Sequence, residues 1–184
     1  MNICVFGAGY VGLVQAAVLA NVGHSVLCVE ADEGKRALLE AGGMPISEPG
    51  LQGLVATNCM EGRLRFSGDL VDAVNHANVH FIAVGTPSDA KGSADLTFVY
   101  EVAKGIAQVA ERDQLIINKS TAPVGTADAI HQTMCEVLRA RGRSEIQVDV
   151  VSNPEFLKQG AAVSDCQRPD RIIIGSSNPK SIEV

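Results

Sequence analysis

The run Gly7-Ala8-Gly9-Tyr10-Val11-Gly12 constrains the fold of this chain more than any other feature. It follows a short apolar stretch, Ile3-Cys4-Val5-Phe6, and leads directly into a helix-period segment over 10–22. A strand that runs into GxGxxG and then a helix is the start of a βαβ unit that holds a dinucleotide. Gly7 permits the tight turn, Gly9 lets backbone approach a pyrophosphate, and Gly12 lets helix and strand pack closely. The helix N-terminus, with Tyr10 and Val11 at its start, offers unpaired N–H groups and a partial positive charge to phosphates. Alone, the same string also marks tight turns in α/β proteins that bind no nucleotide, so its context decides.

That context continues with a second strand over 25–30, which ends on an acidic residue. Glu30 lies 18 residues past Gly12, close to the spacing of about 20 at which a carboxylate meets the ribose. Such a carboxylate accepts hydrogen bonds from the ribose hydroxyls and repels a 2′-phosphate, which selects NAD over NADP. Lys35 and Arg36 follow closely and soften that preference.

Further along, helical periodicity is read over 33–41, 51–58, 98–112 and 126–141. Strands are read over 64–66, 79–84, 115–118, 148–151 and 171–174, the one over 79–84 being rich in β-branched and apolar residues. Uniformly apolar strands that alternate with helices imply an α/β, Rossmann-type doubly wound fold: a mainly parallel sheet with helices on both faces. Stretches 91–95 and 139–145 read as exposed loops, and Asn178-Pro179-Lys180 as the opening of another helix. One domain over 1–184 is expected, with the end at Val184 reading as a cut in a longer protein.

The chain is 46% hydrophobic but only 4% aromatic, with no Trp. That suits close helix packing on a parallel sheet, and it does not suit aromatic platforms for single-stranded nucleic acid. Fifteen basic against 21 acidic side chains leave a net charge of −6, a surface that repels a phosphate polymer. Five cysteines, at 4, 28, 59, 135 and 166, show no CxxC and no pairing rhythm, as expected in a reducing compartment. Cys4 and Cys28 fall in predicted strands and read as small hydrophobes. His24, His76, His80 and His131 have no metal-binding spacing and are expected at the surface or in turns, with no Ser or Cys partner. No metal is expected. No leader and no membrane-length apolar stretch is read, so a cytoplasmic location is expected.

In an open parallel sheet the working residues sit beyond the carboxyl ends of the strands. Three such loops carry unusual residues: Gly85-Thr86-Pro87, the stretch from Lys119 to Thr126, and the stretch from Ser152 to Gly160. Asn153-Pro154-Glu155 also has the make-up of a helix start, with Pro in the first turn and Glu near the positive end of the dipole.

Together with Gly-Ala-Gly-Tyr-Val-Gly-Leu and Ser-Glu-Pro-Gly-Leu at 47–51, these segments resemble the UDP-glucose/GDP-mannose dehydrogenase family. The other matching blocks are Ala-Val-Gly-Thr-Pro at 83–87, Ser-Thr-Ala-Pro-Val-Gly-Thr at 120–126, Asn-Pro-Glu-Phe-Leu-Lys at 153–158 and Arg-Pro-Asp-Arg-Ile-Ile-Ile-Gly at 168–175. They run in the family's order over essentially the whole chain. The Lys-Gln-Gly-Ala-Ala continuation is most similar to the family's UDP-glucose 6-dehydrogenases.

The resemblance implies that two NAD oxidise an alcohol carbon of a nucleotide sugar to an acid. An aldehyde is trapped by a cysteine, and the resulting thioester is hydrolysed. It places Val11, Glu30, Lys35, Thr86, Thr121 and Glu155 on the NAD site, and Glu155, Phe156, Leu157 and Lys158 on the segment that meets the nucleotide sugar. Glu155 is then the general base or water activator, and Thr121 orients the water. Many members carry a second Glu where this chain has Gln159, whose amide can position a water but not take its proton. The catalytic cysteine, the central helix and the sugar domain, through which the parent enzyme oligomerises, are expected beyond residue 184. Cys166 is outside the family's cysteine motif and reads as structural. Alternatives are the same domain of a GDP-mannose or UDP-N-acetyl sugar dehydrogenase, or a nucleotide-sensing module of the kind that gates ion transporters; the latter leaves the Thr121 and Asn153–Lys158 loops unexplained.

Overall fold

The computed structural model describes residues 1–88 and 92–183. In chain order the elements are β1 (Asn2–Phe6), α1 (Tyr10–Asn21), β2 (Ser25–Val29), α2 (Glu33–Glu40), α3 (Leu51–Met60), β3 (Leu64–Ser67) and α4 (Leu70–His76). There follow β4 (Val79–Ile82), α5 (Thr97–Val109), β5 (Gln114–Asn118), α6 (Thr126–Ala140), β6 (Val148–Ser152), α7 (Ala162–Gln167) and a 3₁₀ turn over Pro179–Ile182. The strands form one sheet in the order β3-β2-β1-β4-β5-β6, and every neighbouring pair is parallel. This is the doubly wound order, and its reversal between β1 and β4 opens a crevice at the carboxyl ends of those two strands.

Side chains alternate across the strands and so feed two cores. Cys4, Phe6, Leu27 and Ile116 join residues of α4, α5 and α6 on one face. Ile3, Val5, Val26 and Cys28 join α1, α3 and α7 on the other. Gly12, Ala16, Ala17 and Ala20 are all buried in α1, and their small size lets this helix lie close to the sheet. Burial pushes the Cys4 thiol up to about 12 and the Cys28 thiol higher still, consistent with packing roles.

Several expectations needed correction. The strand expected over 171–174 is absent: Gly175 alone forms an antiparallel bridge to Ser152, and Ile172, Ile173 and Ile174 are exposed. An apolar run becomes a strand only with a ladder partner, and the edge of β6 is engaged here at a single residue. Asn153-Pro154-Glu155 does not open a helix, since the next one begins at Ala162. The Asn153 amide nitrogen donates to the Ile173 carbonyl (2.9 Å), and the Glu155 carboxylate turns back to accept from the Leu157 N–H (2.6 Å). Neither side chain is left to cap a helix. Helix α4 was not anticipated, although Asp69 caps it by accepting from the Val71 and Asp72 N–H groups. Of the expected loops, Arg139 and Ala140 belong to the last turn of α6, Gly92 and Ser93 are exposed, and Lys91 lies outside the described residues. His131 does have a thiol neighbour: Cys135, one turn along α6, lies 3.6 Å from its Nε2.

His80 is the largest departure, being fully buried in β4 rather than at the surface. Its Nε2 sits 2.7 Å from the Gln114 side-chain oxygen, while Nδ1 has no partner among the described residues. A neutral ring that donates from Nε2 satisfies this arrangement; a cation would leave a buried charged N–H unpaired. Burial accordingly lowers its pKa from 6.5 to about 4. The stability this contributes is complete above the unfolded value of 6.5 and declines as pH falls towards 4, because only the unfolded chain takes up the proton. We expect urea unfolding to show a loss approaching about 3 kcal/mol from this group between pH 7 and 4. A His80→Gln variant should show a correspondingly flatter pH dependence; an unchanged slope would refute this account.

Candidate cofactor and substrate site

The three glycines of the first loop differ in what confines them. Gly7 has φ +97°, and a Cβ on it would stand 2.8 Å from the Ala83 carbonyl oxygen. A Cβ on Gly12 would fall 1.8 Å from the Gly7 carbonyl oxygen. Gly9 has an ordinary φ of −76°, and a Cβ there would meet nothing within 4 Å. Nothing in the protein requires Gly9 to lack a side chain, so the space before it is free for a ligand. At that point α1 begins with no side-chain cap and no acidic residue in its first turn. Unpaired N–H groups, the positive end of a helix dipole and an open approach fit a pyrophosphate.

Glu30 directly follows β2 beside this loop and is buried. One carboxylate oxygen accepts from the Ala8 N–H (3.0 Å) and from the Lys35 ammonium (3.2 Å); the other accepts from the Asp32 N–H (3.0 Å). Arg36 donates to the Glu30 carbonyl oxygen at 3.1 Å. The carboxylate therefore ties the end of β2 to the glycine loop, and both nearby cations are already engaged by Glu30. Glu30 and Lys35 stand at the rim of the crevice rather than in the clefts described next.

Two clefts open at the carboxyl end of the sheet. The smaller, about 210 Å³, gathers Gly9, Tyr10, Val11, Thr86, Thr121 and Glu155 from four different loops. The larger, about 640 Å³, is walled by Glu155, Phe156, Leu157 and Lys158 from one side and by Asp165, Cys166 and Arg171 from the other. Lys119 and Glu155 line both. Several of the residues expected on the NAD site and those expected to meet substrate thus share one boundary. The Ser120 hydroxyl donates to the Val84 carbonyl at 2.7 Å and joins two of these loops. The Arg171 guanidinium lies 4.6 Å from the centre of the Phe156 ring.

Lys119 was overlooked as a site residue. It is 8% exposed, donates to the Asn153 side-chain oxygen at 3.1 Å, and makes no ion pair among the described residues. Burial lowers its pKa, and Cys166 and Glu155 act in the opposite direction. The available signal was position: a lysine directly after Leu115-Ile116-Ile117-Asn118 cannot reach solvent as one on a helix face can. Gln159 is exposed, whereas Asp165 places a second carboxylate in the larger cleft, accepting from the Lys158 N–H at 3.1 Å. Burial raises the Cys166 pKa, so this thiol is not poised as a nucleophile. Among the described residues no group of His, Cys, Asp or Glu is arranged to hold a metal ion, and no helix is long and apolar enough to cross a membrane.

Comparison with known proteins agrees with this geometry. The NAD binding domain model of the UDP-glucose/GDP-mannose dehydrogenase family matches residues 1–184. The chain is 50% identical to UDP-glucose 6-dehydrogenase of Rhizobium meliloti, over 95% of this chain and 39% of that protein. It is 47% identical to the Pseudomonas aeruginosa protein of the same name, over 100% of this chain and 40% of that one. It therefore spans about two fifths of the length of these relatives. Among solved structures, a UDP-glucose dehydrogenase from Pyrobaculum islandicum aligns with a TM-score of 0.91 at 35% identity, covering 100% of this chain and 42% of that one. A GDP-mannose dehydrogenase from Pseudomonas aeruginosa aligns at 0.92 and 31%, with the same coverage. The glycine loop, the anchored Glu30 and the paired clefts are thus features of a chain that belongs to the UDP-glucose/GDP-mannose dehydrogenase family, as its NAD binding domain.

Proposed function

We propose that this chain is the NAD-binding part of a UDP-glucose 6-dehydrogenase, which oxidises UDP-glucose to UDP-glucuronate with two NAD. The observation that carries this proposal is the meeting of the cleft beside the glycine loop and a larger cleft at Lys119 and Glu155. Gly9, Tyr10 and Val11 receive the pyrophosphate at the start of α1, and Glu30 takes the adenosine ribose. Lys35 holds that carboxylate, while Thr86 and Thr121 border the nicotinamide end. Bound there, NAD supplies the hydride acceptor. The segment Phe156-Leu157-Lys158 faces the nucleotide sugar. Thr121 orients a water and Glu155 accepts its proton. Gln159 can hold a water but cannot deprotonate it, so proton transfer rests on Glu155, the carboxylate that lines both clefts. Lys119 fixes Asn153 and with it the start of the substrate segment.

The remaining contacts to the sugar and the thiol step are assigned to parts of the protein outside residues 1–184, which also carry its self-association; the whole is placed in the cytoplasm. The 184-residue chain should therefore bind NAD without turning over. The decisive experiment assays the full-length enzyme against UDP-glucose, GDP-mannose and UDP-N-acetyl sugars with NAD. A preference for any sugar but UDP-glucose would overturn the substrate assignment. In the same enzyme, Glu155→Gln should lower kcat by about a hundredfold or more. NAD affinity of the 184-residue chain carrying Glu155→Gln should stay within about threefold of wild type by calorimetry. A kcat within a few-fold of wild type would remove Glu155 from the chemistry.

A further inference from the structure

The segment Ser47-Glu48-Pro49-Gly50-Leu51 plays no part in the function proposed above, yet Glu48 is a buried carboxylate. All its donors come from far away in the chain. One oxygen accepts from the Tyr10 hydroxyl and from the Gly160 N–H (2.8 Å), and the other accepts from the Ala162 N–H (2.8 Å). The Gly160 N–H also reaches the Tyr10 hydroxyl at 3.2 Å. Tyr10 is the first residue of α1, directly after the glycine loop. Gly160 and Ala162 end the segment that begins at Asn153.

The other end of that segment is held separately. The Asn153 N–H donates to the Asn118 carbonyl (2.9 Å), its side-chain amide donates to the Ile173 carbonyl (2.9 Å), and its side-chain oxygen accepts from Lys119 (3.1 Å). Residues 153–160 thus form a strap pinned at both ends. Between the pins they have no helix or strand of their own, and α7 behind them is only 6 residues long.

We infer that Glu48 is a positioning residue: bonded to Tyr10, it latches the far end of this strap onto the cofactor helix and so sets how Phe156, Leu157 and Lys158 meet the nucleotide sugar. The substrate half of this inference rests on the function proposed above; the latch itself does not. The Tyr10 hydrogen bond, with those from Gly160 and Ala162, holds the Glu48 carboxyl below its usual range against the opposing effect of burial. Burial, and then Glu48, pushes the Tyr10 phenol up, so the phenol keeps its proton and remains the donor.

Two variants test the latch. Glu48→Gln turns an acceptor towards an N–H donor, and Tyr10→Phe removes one hydroxyl while keeping the ring. Amide hydrogen exchange on the 184-residue chain should quicken by about tenfold or more at Gly160 and Ala162 in Glu48→Gln. The same effect, smaller, is expected in Tyr10→Phe, with α1 from Leu13 to Ala20 unchanged in both. Unchanged protection at Gly160 and Ala162, or an equal loss throughout α1, would overturn the latch. If Glu48→Gln does not fold, Tyr10→Phe decides alone. In the full-length enzyme, Glu48→Gln should raise the KM for UDP-glucose about tenfold and leave that for NAD within about twofold. Parallel rises in both constants would reduce Glu48 to a structural role. Failure of wild type to oxidise any nucleotide sugar would defeat the proposed function, and the exchange result would still decide the latch.

Discussion

Substituting Gly9 with aspartate should abolish NAD binding and leave the fold intact. The new Cβ meets no heavy atom within 4 Å, and the φ of −76° is one that any L-residue adopts. Aspartate is also a favoured residue at a helix N-cap, the position Gly9 holds. Unfolding free energy should therefore stay within about 0.5 kcal/mol of wild type. The cost falls on the ligand. A carboxylate would fill the approach to the α1 N–H groups and set a negative charge against a pyrophosphate. We expect a loss of more than about a hundredfold in affinity, or roughly 2.7 kcal/mol, by calorimetry. Equal binding by both proteins would show that the glycine loop holds no dinucleotide.

Three residues on, Gly12→Ala should fail in the opposite way. Its methyl group would lie 1.8 Å from the Gly7 carbonyl oxygen and 3.3 Å from the Ala83 side chain. No rotamer relieves a backbone contact, so α1 must move off β1 and take its buried alanines with it. A loss of more than about 4 kcal/mol is expected, in the range reserved for a damaged core. Urea denaturation should show a large fall in midpoint or no folded population at all. A stable Gly12→Ala protein would mean that helix and turn can separate without consequence. Paired, the two variants separate ligand approach from packing at neighbouring positions of one motif.

What could be read from the sequence follows from how local each cause is. The β1-α1-β2 unit was legible to within a residue or so because the positive φ of Gly7 and the contact of Gly12 with the Gly7 carbonyl both arise inside one short loop, although Ala83 confines Gly7 as well. The Glu30 and Glu155 loops were legible because they directly follow apolar strands. Helices α4 and α7, with 7 and 6 residues, span fewer than two turns, too few for apolar residues to recur often enough to mark a helical face. Lys119 and Glu48 were missed as working residues for another reason. Lys119 meets Asn153 34 residues away, and Glu48 meets Gly160 112 residues away. Only the sheet order brings such partners together. His80 misled because its burial depends on Gln114, a polar partner on the adjacent strand. The isoleucines at 172–174 have strand composition but only a single bridge, next to them at Gly175, and composition alone cannot report a missing partner.

The anchoring of Glu30 bears on how such a site could be converted to another cofactor. Its carboxylate is engaged by the Ala8 N–H, the Asp32 N–H and Lys35 before any ribose arrives. An acceptor held in place beforehand gives up little freedom on binding, and it cannot swing aside to relieve a 2′-phosphate. Exchanging it for a neutral residue would not simply admit the phosphorylated cofactor. The Ala8 amide would be left as an unpaired donor, and the Lys35 ammonium would be released beside the glycine turn, whereas Arg36 would keep its bond to the backbone carbonyl of residue 30. Removing the Glu30 carboxylate to tolerate a 2′-phosphate would thus loosen the glycine turn itself. The charge at position 30 and the rigidity of the glycine loop are therefore a single feature of the structure, and a cofactor conversion has to rebuild the support of Ala8 before it alters the charge.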